Sequence, residues 1–279
     1  MVSQASWLLA RSAVTRAGDQ FAQVLTAAPD PAALATRHWS IAQTAAHVAA
    51  VAALDARLLQ PDQVPDPFPG IWDALPGTTV EMVADLNEQM LALFPERDPS
   101  ALAQQLKEDI ARIVDAADPD PDRTVTWLGG SRLPVAGLVA HLLNELLIHG
   151  RDLARATAAP WRIGSPEAAL FFELFLLELA RCGYGRLLDT DQPAPVGRIE
   201  VEFRSRHLAP FTFVMDDGLV AVAEPDRPDV RLRFDPAVLV LMLFGRVSRP
   251  RAVLTGKLQV WGRRPWLLPG FFRILRVPD

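Results

Sequence analysis

Residues 141–152 read HLLNELLIHGRD, and this stretch decides what fold and chemistry to expect of the chain. It lies in the fifth of six predicted helices, opened by Pro134 and reaching Ala158. His141, Glu145 and His149 are spaced four and four, so all three project from roughly one helical face. A carboxylate and an imidazole one turn apart can grip one metal ion. A second source of ligand lies in Thr44-Ala45-Ala46-His47-Val48-Ala49-Ala50, where small neighbours of His47 leave room for another helix to approach.

Two histidines and one carboxylate facing inward leave coordination positions open, the arrangement of catalytic zinc and also of non-haem iron. The alternative at this point is that His47 and His149 are packed or hydrogen-bonded core histidines, with Glu145 making an ordinary i,i+4 contact. His141 sits two turns from His149, too far for both to ligate one ion, and so either lines the pocket or orients a ligand. Asp152 either accepts the second N–H of a ligand histidine or forms a helix-terminal charge pair with Arg151.

Working outward, residues 4–27 form the first helix, and Ser40 with Gln43 has the spacing of a capping box opening a second helix to about Leu59. Pro61–Pro69 reads as a loop. A third helix of about five turns is expected from Thr78, with Glu81 three residues on, and a fourth from Asp98 with Pro99 in its first turn. Thr124–Leu128 reads as a short extended piece ending in Gly129-Gly130. Ser165-Pro166 opens a sixth helix that ends near Gly183 or Gly185.

After a proline-bearing linker from Asp189 to Gly197 the hydrophobic period changes from 3.6 to 2. Ile199–Phe203, Phe211–Met215, Leu219–Ala223 and Val230–Phe234 read as strands, with Asp217-Gly218 as a hairpin turn. Asp235-Pro236 starts a helix ending near Gly245, Leu258–Trp261 is extended, and Arg264–Leu275 is helical. The fold class is therefore multi-domain: an all-α helical bundle over residues 1–188, then a small α+β domain over 197–279, with a mixed sheet covered by the helices near Val238 and Pro265.

The composition narrows the partners. A net charge of −5 over 279 residues argues against a phosphate-neutralising nucleic-acid surface. No apolar run approaches the ~18 residues of a membrane span, the N-terminus lacks the pattern of a signal peptide, and the single cysteine, Cys182, allows no internal disulfide. A cytoplasmic protein with a small-molecule partner is expected, with Cys182 acting as a buried small hydrophobe.

Taken together, His38-Trp39-Ser40-Ile41-Ala42-Gln43-Thr44-Ala45-Ala46-His47 and the Glu145-x-x-x-His149-x-x-Asp152 segment resemble the mycothiol-dependent maleylpyruvate isomerase family within the DinB-like four-helix metalloproteins. Leu254-Thr255-Gly256-Lys257-Leu258-Gln259-Val260-Trp261-Gly262 is similar to the glycine-lysine-leucine signature of sterol-carrier-protein-like domains. The resemblance implies a divalent metal of the zinc type held by His47, Glu145 and His149, and mycothiol as cosubstrate. The metal would activate that low-molecular-weight thiol for attack on a small electrophile, in an isomerase or S-transferase reaction.

The resemblance further implies a basic residue from the C-terminal domain reaching a substrate carboxylate; Arg246 is the best match, with Arg263 and Arg264 competing. The insert Pro61–Gly77 departs from a small-dicarboxylate site, with Phe68, Ile71 and Trp72 available to shape a larger, more apolar pocket. A metal-water hydrolase and a non-catalytic apolar-ligand carrier are the alternative functions.

Overall fold

Ser3 accepts a hydrogen bond from the Ser6 amide and opens α1 (Gln4–Thr26), whose buried face carries Trp7, Val14, Phe21 and Leu25. The computed structural model describes residues 1–190, 197–224 and 227–275. α2 (Ile41–Leu59) starts on the complete capping box: the Ser40 hydroxyl accepts from the Gln43 amide while the Gln43 side chain accepts from the Ser40 amide. Its alanine-rich surface is buried almost all round, which lets neighbouring helices come close.

α3 is Val83–Leu93, shorter and later than the helix expected from Thr78. Thr78 turns back to donate to the Ala74 carbonyl at 3.1 Å, and the Val80 amide is taken by the Leu187 carbonyl at 2.9 Å. Residues Val80–Met82 therefore form only a tight 3-10 turn ahead of α3, because a distant loop claims the backbone donor the helix start needs.

α4 (Pro99–Ala117) has Asp98 as N-cap and proline in its first turn, as its sequence indicates. A short hairpin, β1 (Thr124–Thr126) and β2 (Arg132–Pro134), leads into α5 (Val135–Thr157), a largely buried helix that carries His141, Glu145 and His149. α1 and α2 each pack against both α4 and α5, which makes a four-helix bundle of α1, α2, α4 and α5.

The sixth helical segment is not uniform. α6 (Ser165–Leu170) and α7 (Leu177–Cys182) flank a widened π turn, Phe171–Leu176, and Gly164 rather than Ser165 occupies the cap position. The Ser165 hydroxyl is drawn instead to Asp235 at 3.0 Å.

Residues 191–196, which hold most of the expected linker, lie outside the described residues. Beyond them β3 (Ile199–Arg204), β4 (Phe211–Asp216), β5 (Leu219–Ala223), β6 (Val230–Phe234) and β7 (Leu258–Gly262) form one sheet in the order β5-β4-β3-β6-β7. Only the β3–β6 pair is parallel, so the sheet is mixed. Asp217 (φ 44°) and Gly218 (φ 87°) both take positive φ in the β4–β5 hairpin, the conformation that selects an Asp-Gly pair. α8 (Pro236–Leu243), a short α9 (Arg249–Leu254) that the sequence reading did not anticipate, and α10 (Leu268–Ile274) complete the unit.

The two parts of the chain meet through α6 on α8 and α7 on β5. Polar ties reinforce that contact: Tyr184 Oη accepts from the Val220 amide at 3.2 Å, and Arg246 Nη2 donates to Asp152 at 2.8 Å. No helix among the described residues is long and apolar enough to cross a membrane.

Gly150, beside His149, is a packing requirement. A Cβ there would run into the indole of Trp161, whose Nε1 is anchored on the Leu147 carbonyl at 3.1 Å. Glycine in a helix interior ordinarily costs up to about 1 kcal/mol against alanine, whereas overpacking a rigid ring costs about 1–3 kcal/mol. Gly150→Ala is therefore expected to lower stability in denaturant titrations, and Gly150→Ala combined with Trp161→Leu to recover part of the loss. Stabilisation by the single change would refute this packing account.

Candidate metal centre

α2 and α5 bring together side chains 98 residues apart in sequence. His47 Nε2 lies 3.3 Å from Glu145 Oε2, and His149 Nε2 lies 3.4 Å from the same oxygen. One ligand atom from each of the three residues falls within 4.8 Å of the other two. Donors held about 2.0–2.1 Å from a tetrahedral zinc stand roughly 3.3 Å apart, so the two nitrogen-to-oxygen separations suit a common ion. The donor set suits it too: two imidazoles and one carboxylate, with room for further ligands on the cavity side.

The electrostatics show how closely the three groups are coupled. Burial alone would lift the Glu145 carboxyl, but hydrogen bonds from His149 and His47 and the field of His141 and His149 hold it well below the usual carboxylate range. Burial outweighs the pull of Glu145 at His47 and lowers its pKa. At His149 burial also acts downward, yet the Asp152 and Glu145 carboxylates together outweigh it and raise the pKa.

His149 is oriented from behind. Its Nδ1 lies 3.4 Å from Asp152 Oδ2, at ion-pair distance though outside hydrogen-bond geometry. Asp152 in turn accepts from Arg246 at 2.8 Å, and Arg246 Nη1 also donates to the Phe244 carbonyl at 2.6 Å. The Asp152 carboxyl resists burial and sits below its ordinary range because His149 and Arg246 both favour its anion. Arg246 thus meets the carboxylate behind a candidate ligand and is not among the residues lining the cavity. Arg263 and Arg264 are both held by Asp229, at 2.9 and 2.6 Å, on the sheet.

Aromatic rings wall the site. Trp39, one residue before the α2 cap, has its ring centroid 4.8 Å from that of His47 and donates from Nε1 to Glu88 at 2.7 Å. His141 sits one turn before Glu145 with Nε2 3.7 Å from Glu145 Oε1, and its ring is 4.9 Å from Trp127 and 5.0 Å from Phe175. It lines the cavity rather than joining the three-residue group.

That cavity opens from His47 and Glu145 toward α3, the π turn and β5. Phe68, Ile71 and Trp72 do not line it: the first two are core residues and Trp72 is tied to Asp66 at 2.7 Å. Asp55, which the sequence reading passed over, does line it, two turns beyond His47 on α2 and only 1% exposed. An acidic residue eight positions after a histidine, inside an otherwise apolar alanine-rich helix, is the signal that would have found it.

Cys182 is partly exposed, does not line the cavity, and has its thiol pKa raised by burial and by Glu178.

Comparison with known proteins bears on both parts of the chain. Two solved structures are similar over most of their length: the mycothiol-dependent maleylpyruvate isomerase H52A mutant, at 15% identity and TM-score 0.49 over 91% of this chain and 92% of that one, and the mycothiol-dependent maleylpyruvate isomerase, at 17% identity and TM-score 0.46 over 87% and 90%. Curated protein sequences give no match. Residues 195–263 match the SCP-2 sterol transfer family. Residues 11–154, more than half of the chain and the segment that carries His47, Glu145 and His149, match the mycothiol maleylpyruvate isomerase N-terminal domain, and the chain belongs to that family.

Proposed function

We propose that the chain is a metal-dependent enzyme that uses a low-molecular-weight thiol of the mycothiol type to isomerise a small electrophile or to transfer sulfur to it. The observation that carries this reading is the convergence of His47 Nε2 and His149 Nε2 on one oxygen of Glu145 at the wall of a cavity. Membership of the family supports the choice of thiol.

His47, Glu145 and His149 would hold a divalent ion of the zinc type, which when bound depresses the pKa of a thiol from its ordinary value near 8.5 so that thiolate is present at neutral pH. The chain's own residues do the rest. Asp152, steadied by Arg246, fixes the ring of His149 so that Nε2 faces Glu145. Trp39 and Trp127 keep water from two sides of the histidines. No protein thiol faces the cavity among the described residues, so the attacking sulfur comes from outside.

The isomerase reaction balances without an oxidant or reductant. Thiolate adds to one alkene carbon, the former double bond rotates, and elimination of the same thiolate restores the alkene in the trans configuration. In the transferase variant the adduct takes up a proton and leaves as a thioether.

Elemental analysis of protein equilibrated with zinc and then dialysed should find about one ion per chain, falling to background in His47→Ala and His149→Ala. Metal retention by both variants would sink the ligand assignment. Turnover of cis-configured unsaturated ketones and acids should depend saturably on mycothiol and survive Cys182→Ala. Turnover undiminished after thorough thiol removal would reassign the same centre to hydrolysis by activated water, and loss of turnover in Cys182→Ala with zinc still bound would exclude an external sulfur nucleophile.

A further inference from the structure

The cavity beside the candidate metal centre has a volume of about 120 Å³. Its walls are Val51, Leu86, Met90, Phe171, Phe175 and Leu179 together with other apolar side chains. The polar groups on it are His47, His141, Glu145, Asp55, Asn87 and Tyr184. Among the described residues no lysine or arginine lines it, and Arg246 is committed to Asp152 and the Phe244 carbonyl.

Charge then discriminates where size does not. With a divalent ion, the Glu145 carboxylate and a bound thiolate, the site is already neutral. A substrate dianion would enter an apolar cavity with no lysine or arginine on its wall to pair with it, and burying unpaired charge there is strongly unfavourable. Asp55 adds a positive requirement: its Oδ2 is buried with no hydrogen-bond partner, on the same helical face as His47.

Resting on the metal-and-thiol reading above, we propose that the substrate is an uncharged, largely apolar α,β-unsaturated carbonyl compound, and that the Asp55 carboxyl is the polar anchor for its carbonyl oxygen. Burial and the nearby Glu145 push the Asp55 pKa above its ordinary value, the direction that favours the protonated carboxyl, and its unpartnered Oδ2 lies on the cavity wall. When thiolate adds to the β-carbon, the electron pair of the alkene moves toward the carbonyl oxygen. A neutral acid donating to that oxygen stabilises the charge as it develops, as oxyanion donors do.

The test compares 4-phenylbut-3-en-2-one with maleate, each titrated into the 279-residue chain by calorimetry, with and without zinc. The enone is expected to bind at least tenfold more tightly than maleate. Asp55→Leu should weaken enone binding tenfold or more with zinc content unchanged, whereas Asp55→Asn, which keeps a donor, should change it less than threefold. Asn87→Lys, which adds a cation at a half-buried wall position, should shift the preference toward maleate. Equal or tighter binding of maleate by the unaltered protein, or absence of enone binding by folded protein, overturns the proposal, and full enone affinity in Asp55→Leu overturns the role of Asp55. If zinc does not bind yet the enone preference holds, the metal reading fails and the assignment of the cavity stands.

Discussion

Glu145 is a carboxylate withdrawn from water inside a helical bundle, and much of the surrounding structure serves to keep it charged. An isolated buried carboxylate would take up a proton. Here the imidazoles of His47 and His149 sit at 3.3 and 3.4 Å from one of its oxygens and His141 at 3.7 Å from the other. Their combined effect overcomes the desolvation that opposes it. The alanine-rich α2 is a consequence of the same constraint, since only small side chains let its backbone approach α5 closely enough for His47 to reach that oxygen.

The C-terminal unit takes part in this arrangement instead of sitting apart from it. Arg246 reaches across from the end of α8 to Asp152, and Asp152 stands behind His149. Truncating either would leave a buried charge without its partner, so the coupling runs in both directions. The π turn Phe171–Leu176 has a comparable role on the apolar side. Widening the helix by one residue re-aims Phe171 and Phe175, and both rings end on the cavity wall.

Acidic and aromatic groups are distributed unevenly about the centre. Carboxylates lie behind the histidines and at Asp55, whereas the space open to a ligand is mostly aliphatic and phenyl surface. A concave surface of this kind, mostly apolar with a few convergent polar groups, is the usual form of a small-molecule site.

The local spacing of residues 141–152 was enough to place Glu145 and His149 on one helical face, because a 3.6-residue period is a property of the backbone alone. The caps of α2 and α4, the Asp217-Gly218 hairpin and the change of period after residue 197 were readable for the same reason. The shortfall of α3 was not, since Val80 bonds to Leu187, a partner more than a hundred residues away. Nor were the burial of Phe68 and Ile71 in the core, the partner of Arg246, or the position of Asp55 on the cavity wall. Each depends on which helix faces lie against one another, and side-chain pairing between distant segments leaves no periodic trace in the chain that carries it.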